Sequence, residues 1–458
     1  MRHFDLVIIG SGSGNSILDE RFADQRVAIV EKGVFGGTCL NVGCIPTKMF
    51  VHTADVAAAP ASGARLGVDA HLDGVRWTDV RDRIFGRIDP ISEGGRRWRA
   101  EENANVTVFA GTARFVGPRT LDTGTGETIT ADRFVLAAGS RPVVPDVADL
   151  ESVGYHTSDT IMRLDALPPR LTILGSGFVA AEFAHVFSSF GVRVTLIARS
   201  DLLLRREDRE VAQRFTRLAS EKWDVRLSHK AVRAERVDGV VRLHLEGPEG
   251  SVSVDGEELL VAVGRTPNSD LLDLASAGVE LHPDGRVVVD EHQRTSAAGV
   301  YALGDISNEH QLKHVANHEA RVVQHNLLHP DEPIAADHRH VPAAVFTSPQ
   351  IASVGLTEEQ AAERGVRYVV GSQAYASIAY GWAMEDTTGF AKVLADPGTG
   401  EILGAHVIGP QAPTVIQPLI QAMSFGQDAR SVARGQYWIH PGMPEVVENA
   451  LLNLPLEY

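Results

Sequence analysis

Cysteine is the scarcest chemically versatile residue here: 458 residues hold only two, Cys39 and Cys44. A pair that small cannot frame a disulfide-stapled secreted fold. It cannot build a zinc site either, since zinc needs about four ligands and no paired-histidine motif stands nearby. Long apolar runs are missing too, so nothing approaches the roughly 20 residues of a membrane-spanning helix. Basic charge is in deficit, with 43 Lys and Arg against 59 Asp and Glu and a formal net charge of −16. That balance lacks the basic stripe a nucleic-acid partner requires. The apolar run Leu6-Val7-Ile8-Ile9 begins so soon after Met1 that no secretory signal fits before it. With so few cysteines, this predicts a cytoplasmic protein. The length suggests about three domains.

The two cysteines stand in Gly36-Gly37-Thr38-Cys39-Leu40-Asn41-Val42-Gly43-Cys44-Ile45-Pro46-Thr47-Lys48. Flanking glycines and the short interval let two sulfurs meet across one loop. A helix-compatible run from Lys48 to Ala59 follows, which puts Cys44 near a helix start. Exposed backbone N–H groups there stabilise a thiolate and lower its pKa. The stretch therefore reads as a redox-active dithiol; the alternative is two buried structural thiols.

Two strand–glycine turn–helix–strand units follow one pattern. In the first, Leu6–Ile9 leads into Gly10-Ser11-Gly12-Ser13-Gly14-Asn15, a helix-like segment from Ser16 to Phe22, the strand Arg26–Val30 and then Glu31. In the second, Leu171–Leu174 precedes Gly175-Ser176-Gly177-Phe178-Val179-Ala180, a helix to about Phe190 and the strand Arg193–Ile197. Small residues at these turns bring the backbone close to a pyrophosphate at a helix N-terminus. Asn15 replaces the usual third glycine, so close helix–strand packing in the first unit is expected to suffer. The charges after the second strands differ. Glu31 is placed to accept from ribose hydroxyls, whereas Arg199 and Arg205, with Arg206 beside them, suit a 2′-phosphate. FAD in the first unit and NADPH in the second is the economical assignment. The arginines also read as solvated basic surface.

Two dinucleotide units with a Cys-x4-Cys loop after the first resemble the FAD-dependent pyridine nucleotide–disulfide oxidoreductases along nearly the whole chain. Val135-Leu136-Ala137-Ala138-Gly139-Ser140-Arg141-Pro142 resembles that family's crossing from the flavin to the nicotinamide domain. Val263-Gly264-Arg265-Thr266-Pro267-Asn268 resembles the crossing back. Thr295 to Asp305 resembles the second FAD signature, and the segments from Val341 to Thr347 and Val354 to Thr357 resemble the interface domain. The resemblance implies an α/β fold: two Rossmann-like dinucleotide-binding domains plus a C-terminal α+β dimerisation domain. The expected boundaries are 1–150 and 269–335 for FAD, 151–268 for NADPH and 336–458 for the interface. It adds Thr38, Gly139 and Asp305 to Gly10, Gly12, Gly14 and Glu31 as FAD residues. Gly264 likewise joins Gly175, Gly177, Ala180, Arg199 and Arg205 for NADPH. It further implies a homodimer whose active site is shared between subunits.

Near the C-terminus stands Trp438-Ile439-His440-Pro441-Gly442-Met443-Pro444-Glu445. A carboxylate holding one imidazole nitrogen fixes the tautomer and raises basicity. The family uses such a His-Pro and glutamate as its acid–base pair, which points to His440 and Glu445. It also pairs a lysine four residues after the second cysteine with a glutamate after the second glycine motif; Lys48 and Glu182 match. Taken alone, Glu182 would be an ordinary helix-surface carboxylate. The implied activity is NADPH-dependent reduction of a small disulfide through FAD and a Cys39–Cys44 disulfide, with Cys39 outermost. Lipoamide chemistry with NAD is the alternative, and Arg199 argues against it. A glutathione-type substrate is another, and Glu20 would repel its carboxylates. The stretches 10–22, 83–91, 379–386 and 434–440 are similar to a branch acting on an uncharged, hydroxyl-rich disulfide. For such a ligand Tyr380, Trp382 and Trp438 could stack or hydrogen-bond, although aromatic residues in an interface domain are more often packing. A non-catalytic flavoprotein would lack a reactive residue, and none is missing. Mercuric ion reduction would require an extra C-terminal cysteine pair that the chain does not have.

Overall fold

Short apolar runs without alternation are what a sheet covered on both faces demands, and the computed structural model, which describes residues 1–457, uses them so. Strand Arg2–Ile9 pairs in parallel with Val27–Val30 on one side and Thr128–Leu136 on the other. Val106–Phe109 extends the sheet beyond Val27–Val30, and Thr120–Asp122 with Arg114–Gly117 extends it the other way. The pleat divides the side chains. Leu6, Ile8, Val27 and Ile29 enter one core, while Val7, Ile9, Ala28 and Val30 enter another. The sheet gains a further parallel strand, Val300–Ala302, on the end of Thr128–Leu136.

Between those strands the chain builds a second sheet, all parallel, in the order Asp224–Arg226, Arg193–Ile197, Arg170–Leu174, Glu258–Val261. An antiparallel meander, Lys230–Gly256, packs Ala231, Ala234, Val241, Leu243 and Leu245 against Leu259 and Val261 on one face. The segments that leave and re-enter the first unit pair with one another: Ser140–Pro142 lies antiparallel to Arg265–Pro267.

The C-terminal unit is a five-stranded antiparallel sheet in the order Ala343–Val345, Ile351–Gly355, Ile402–Ile408, Phe390–Ala395, Val369–Ala374. Helices Gln417–Ser424, Ala429–Arg434 and Glu445–Leu452 bury Leu419, Val432, Val446 and Val447 against it. Among the described residues no helix is long and apolar enough to cross a membrane.

One element differs from its sequence expectation. Ser16 to Phe22 is not a helix; Ser13–Ile17 and Glu20–Phe22 are separate 3-10 turns. The chain is extended at Leu18 and Asp19, and the Asp19 carboxylate accepts from the Arg21 amide to cap the second turn. A short polar side chain bonded to the backbone two residues on in this way competes with helix propagation. The expected packing defect at Asn15 is resolved by the residue before it. A Cβ on Gly14 would lie 2.5 Å from the Ala137 Cβ and 3.2 Å from Ile8, so Gly14 supplies the close approach.

Candidate active site

Gly43 ends the cysteine loop, and Cys44 is the first residue of helix Cys44–Gly63, closer to the helix start than its sequence required. Pro46 falls in the first turn, where its missing N–H costs nothing. Cys39 lies in the preceding short helix, Gly37–Asn41. Both cysteines are free thiols, Cys39 partly buried and Cys44 exposed. They titrate together. A hydrogen bond from Cys39, the Lys48 ammonium and the helix-start amide pull Cys44 down to about 7, against burial and the Glu182 charge. The same hydrogen bond, with burial and the Cys44 charge, pushes Cys39 far up, against the pull of Lys313. Of the reduced pair, Cys44 is therefore the sulfur that ionises first, while Cys39 keeps its proton.

Lys48 lies one helical turn beyond Cys44. Its Nζ reaches both Glu182 carboxylate oxygens at 2.7 Å, and Glu182 is only 3% exposed. Glu182 sits in helix Phe178–Ser189, which starts at the second glycine turn, and also accepts from the Phe346 amide at 3.0 Å. The Phe346 ring lies under the ammonium, 4.8 Å away. This pairing removes Glu182 from the surface-carboxylate alternative.

Around the first glycine turn, Glu31 accepts from the Ser11 amide at 2.8 Å, the Ser11 hydroxyl at 2.7 Å and the Gly33 amide at 2.8 Å. A carboxylate has about four acceptor sites, so one remains for a ribose hydroxyl. Gly10 has φ 102°, and a Cβ there would strike the Ala137 carbonyl at 2.3 Å. Gly175 repeats this in the second unit, with φ 148° and the Ala262 carbonyl 2.2 Å away. Gly12 approaches Gly37, and Thr38 is exposed on the helix Gly37–Asn41 that carries Cys39. Asp305 is the middle residue of the 3-10 turn Gly304–Ile306 and accepts from the Ser140 hydroxyl at 2.7 Å through one oxygen. Ser140, next to Gly139, is held by Arg265, next to Gly264. These backbone cradles and open acceptors fit a flavin dinucleotide. In the second unit Ala180 is fully buried in its helix, while the space over Gly177 is open. Arg199, Arg205 and Arg206 are exposed, with no hydrogen bond or ion pair among the described residues. They fit an incoming phosphate.

His440 and Glu445 are joined as their spacing predicts: Nδ1 to Oε1 is 2.6 Å, and the Gly442 amide donates to the other oxygen at 3.0 Å. Burial pushes the Glu445 carboxyl up, but the His440 bond and the Gly442 amide outweigh it and hold the group below the ordinary value. The His440 side chain is 70% exposed, so Nε2 faces outward. Within one chain it is not joined to the thiols. Tyr437 and Ile439 beside it are exposed as well. Trp382 and Trp438 both spend their indole N–H on backbone carbonyls, Ala376 and Ala433.

Sequence reasoning missed Lys313, whose Nζ donates to the Ser13 hydroxyl at 2.7 Å and whose charge reaches Cys39. It also missed Ser11, Ser140 and Phe346. Ser11, Ser140 and Phe346 lie in recognisable stretches, but nothing local shows their roles, because each works through a partner distant in sequence. Among the described residues no group of three or more His, Cys, Asp or Glu could hold a metal ion.

Residues 4–320 match the family described as pyridine nucleotide-disulphide oxidoreductase, and residues 341–451 match its dimerisation domain. Mycothione reductase from Mycobacterium tuberculosis is 56% identical over 464 aligned positions, covering 99% of this chain and 100% of that protein. Dihydrolipoyl dehydrogenase from Haloferax volcanii is 32% identical, covering 98% and 96%. The Cu(II) complex of the HOCl-induced flavoprotein disulfide reductase RclA from Escherichia coli superposes with a TM-score of 0.87 at 28% identity over 99% of both chains.

Proposed function

The chain belongs to the pyridine nucleotide-disulphide oxidoreductases, and from that membership we propose that it reduces mycothione to mycothiol with NADPH in the cytoplasm. The reading rests chiefly on one observation: a thiolate-prone Cys44 at a helix start, beside Lys48 and in contact with the Cys39 thiol. Mycothione is favoured by the 56% identity to an enzyme of that name. Its uncharged, hydroxyl-rich body also suits a chain with Glu20 and Asp19, rather than a row of arginines, after the first glycine turn. Arg199, two residues past strand Arg193–Ile197, and Arg205 on the segment that follows favour the phosphorylated nucleotide.

Glu31, Asp305 and the turn at Gly10–Gly14 would hold FAD; the turn at Gly175–Gly177, with Arg199 and Arg205, would hold NADPH. What these groups supply when bound is an electron pair, taken as hydride from NADPH and delivered to the Cys39–Cys44 disulfide. The remaining steps belong to the chain. Lys48 keeps Cys44 ionised after the disulfide opens, and Glu182 orients Lys48. His440 of the partner subunit takes the Cys39 proton, with Glu445 steadying the imidazolium. The Cys39 thiolate attacks one sulfur of the substrate, forming a mixed disulfide and expelling a thiolate, which the partner's His440 protonates. Cys44 then attacks the Cys39 sulfur, restores the Cys39–Cys44 disulfide and releases the second thiolate, which takes a proton from solvent. Two electrons and two protons are consumed for each disulfide. This reading calls for a dimer because His440 makes no hydrogen bond to its own chain's thiols, and the chain carries the family's dimerisation domain.

The test is NADPH and NADH consumption by FAD-loaded protein against mycothione, glutathione disulfide and lipoamide in parallel. NADPH-driven turnover with mycothione alone is the expected result. Turnover chiefly with lipoamide and NADH would overturn both the substrate and the role of the arginines.

A further inference from the structure

Arg205 and Arg206 stand on a short segment fastened at both ends. Leu204, with φ 51°, donates its amide to the Ser176 carbonyl at 2.8 Å, which ties the segment to the second glycine turn. Leu203 donates to the Thr216 hydroxyl at 3.0 Å. Two residues after Arg206, Asp208 caps helix Arg209–Lys222 by accepting from the Glu210 amide at 3.1 Å. Asp208 is 1% exposed, and its counter-charge comes from another unit. Lys392, in the middle of strand Phe390–Ala395, is 3% exposed and places Nζ 2.9 Å from Asp208 Oδ1. Glu358 also contacts that ammonium, and Glu210 lies 3.6 Å away. The rest of the helix is fastened to the same C-terminal unit. Arg209 pairs with Glu359, Arg214 donates to the Thr388 carbonyl and stacks over Phe390, and Lys222 donates to the Ser348 carbonyl.

A buried ion pair adds little net stability, because apolar residues of similar volume do as well or better. What it adds is direction, since it holds if one geometry is kept. We propose that Lys392 is a positioning residue for nucleotide selectivity: by fixing Asp208 it holds Arg205 and Arg206 in register with the Ser176 turn, so that preference for the 2′-phosphate is set from the C-terminal sheet. This rests on the NADPH reading above.

Lys392→Met tests it in the FAD-loaded dimer, beside the paired variant Asp208→Asn/Lys392→Met. The pair removes both buried charges and keeps a side chain able to cap the helix. The readouts are kcat/KM with NADPH and with NADH, and calorimetric binding of 2′,5′-ADP against 5′-AMP. The NADPH-to-NADH ratio should fall roughly 3- to 30-fold, carried by the KM for NADPH with kcat within about twofold. Binding of 2′,5′-ADP should weaken while 5′-AMP holds. A folded paired variant with the unaltered ratio overturns the inference, as does an equal loss with both nucleotides. A parent enzyme that takes NADPH and NADH alike overturns the NADPH reading itself, and the inference with it.

Discussion

Lys48→Met should move the Cys44 titration upward by at least one pH unit. Residues four apart on a helix stand about 6 Å from each other. At that separation, with an effective dielectric constant of about 20, a unit charge contributes roughly 3 kcal/mol. Lys48 is 34% exposed, so solvent screens its field on Cys44. Half of that value, about 1.4 kcal/mol, corresponds to one pH unit. Cys44 starts from about 7. At neutral pH its thiolate fraction would therefore drop from about a half to about a tenth. Glu182→Gln should act the other way, lowering Cys44 further by removing a nearby anion. The double variant should return close to the parent. Only two cysteines exist, so NMR of reduced protein carrying isotope-labelled cysteine follows each thiol separately. A parent-like Cys44 midpoint in Lys48→Met would refute the claim that the ammonium maintains the thiolate. A double variant that titrates like Lys48→Met would refute the compensating role of Glu182.

His440→Ala should slow oxidation of the reduced enzyme by disulfide far more than its reduction by NADPH, read by stopped-flow on each half-reaction; equal losses would remove it from proton transfer. Glu445→Gln should reduce the disulfide half about 10- to 100-fold. The Glu445 carboxyl lies below its ordinary value in the fold, so the stability it contributes is present above the usual carboxylate range. That stability should fade as the pH falls through the lower native value, seen as convergence of parent and Glu445→Gln melting temperatures in acid. Gly14→Ala forces a methyl against Ala137 and Ile8 and should cost about 1–3 kcal/mol. A melting temperature equal to the parent's would show that the turn can yield.

The site was legible wherever chemistry fixes a spacing. Cys44 and Lys48 are one helical turn apart, and His440 and Glu445 flank one tight bend, so each pair can be read along the chain. Glu31 follows from its strand, because the end of the second strand is where a ribose would lie. Glu182 needed the family resemblance, since nothing local says that its partner is 134 residues away. Lys392 and Asp208, 184 residues apart, left no trace at all. The failed helix at Ser16–Phe22 has a local cause. Its apolar positions permit a helix, but Asp19 accepts from the Arg21 amide and the segment is too short for propagation to win. Gly14 was legible as a turn glycine, yet its packing against Ala137 depends on a strand more than a hundred residues later.

Strand Val300–Ala302 gives the first sheet an unusual birth order. Its partners at Phe134–Leu136 leave the ribosome roughly 160 residues earlier, which at about 5–20 residues per second is some 8 to 30 seconds. In that interval the whole second sheet, Arg170 through Val261, is made and can close upon itself. The N-terminal unit, begun first, is thus completed only after the second, and during the wait it carries an open strand edge of the kind that invites pairing with other chains.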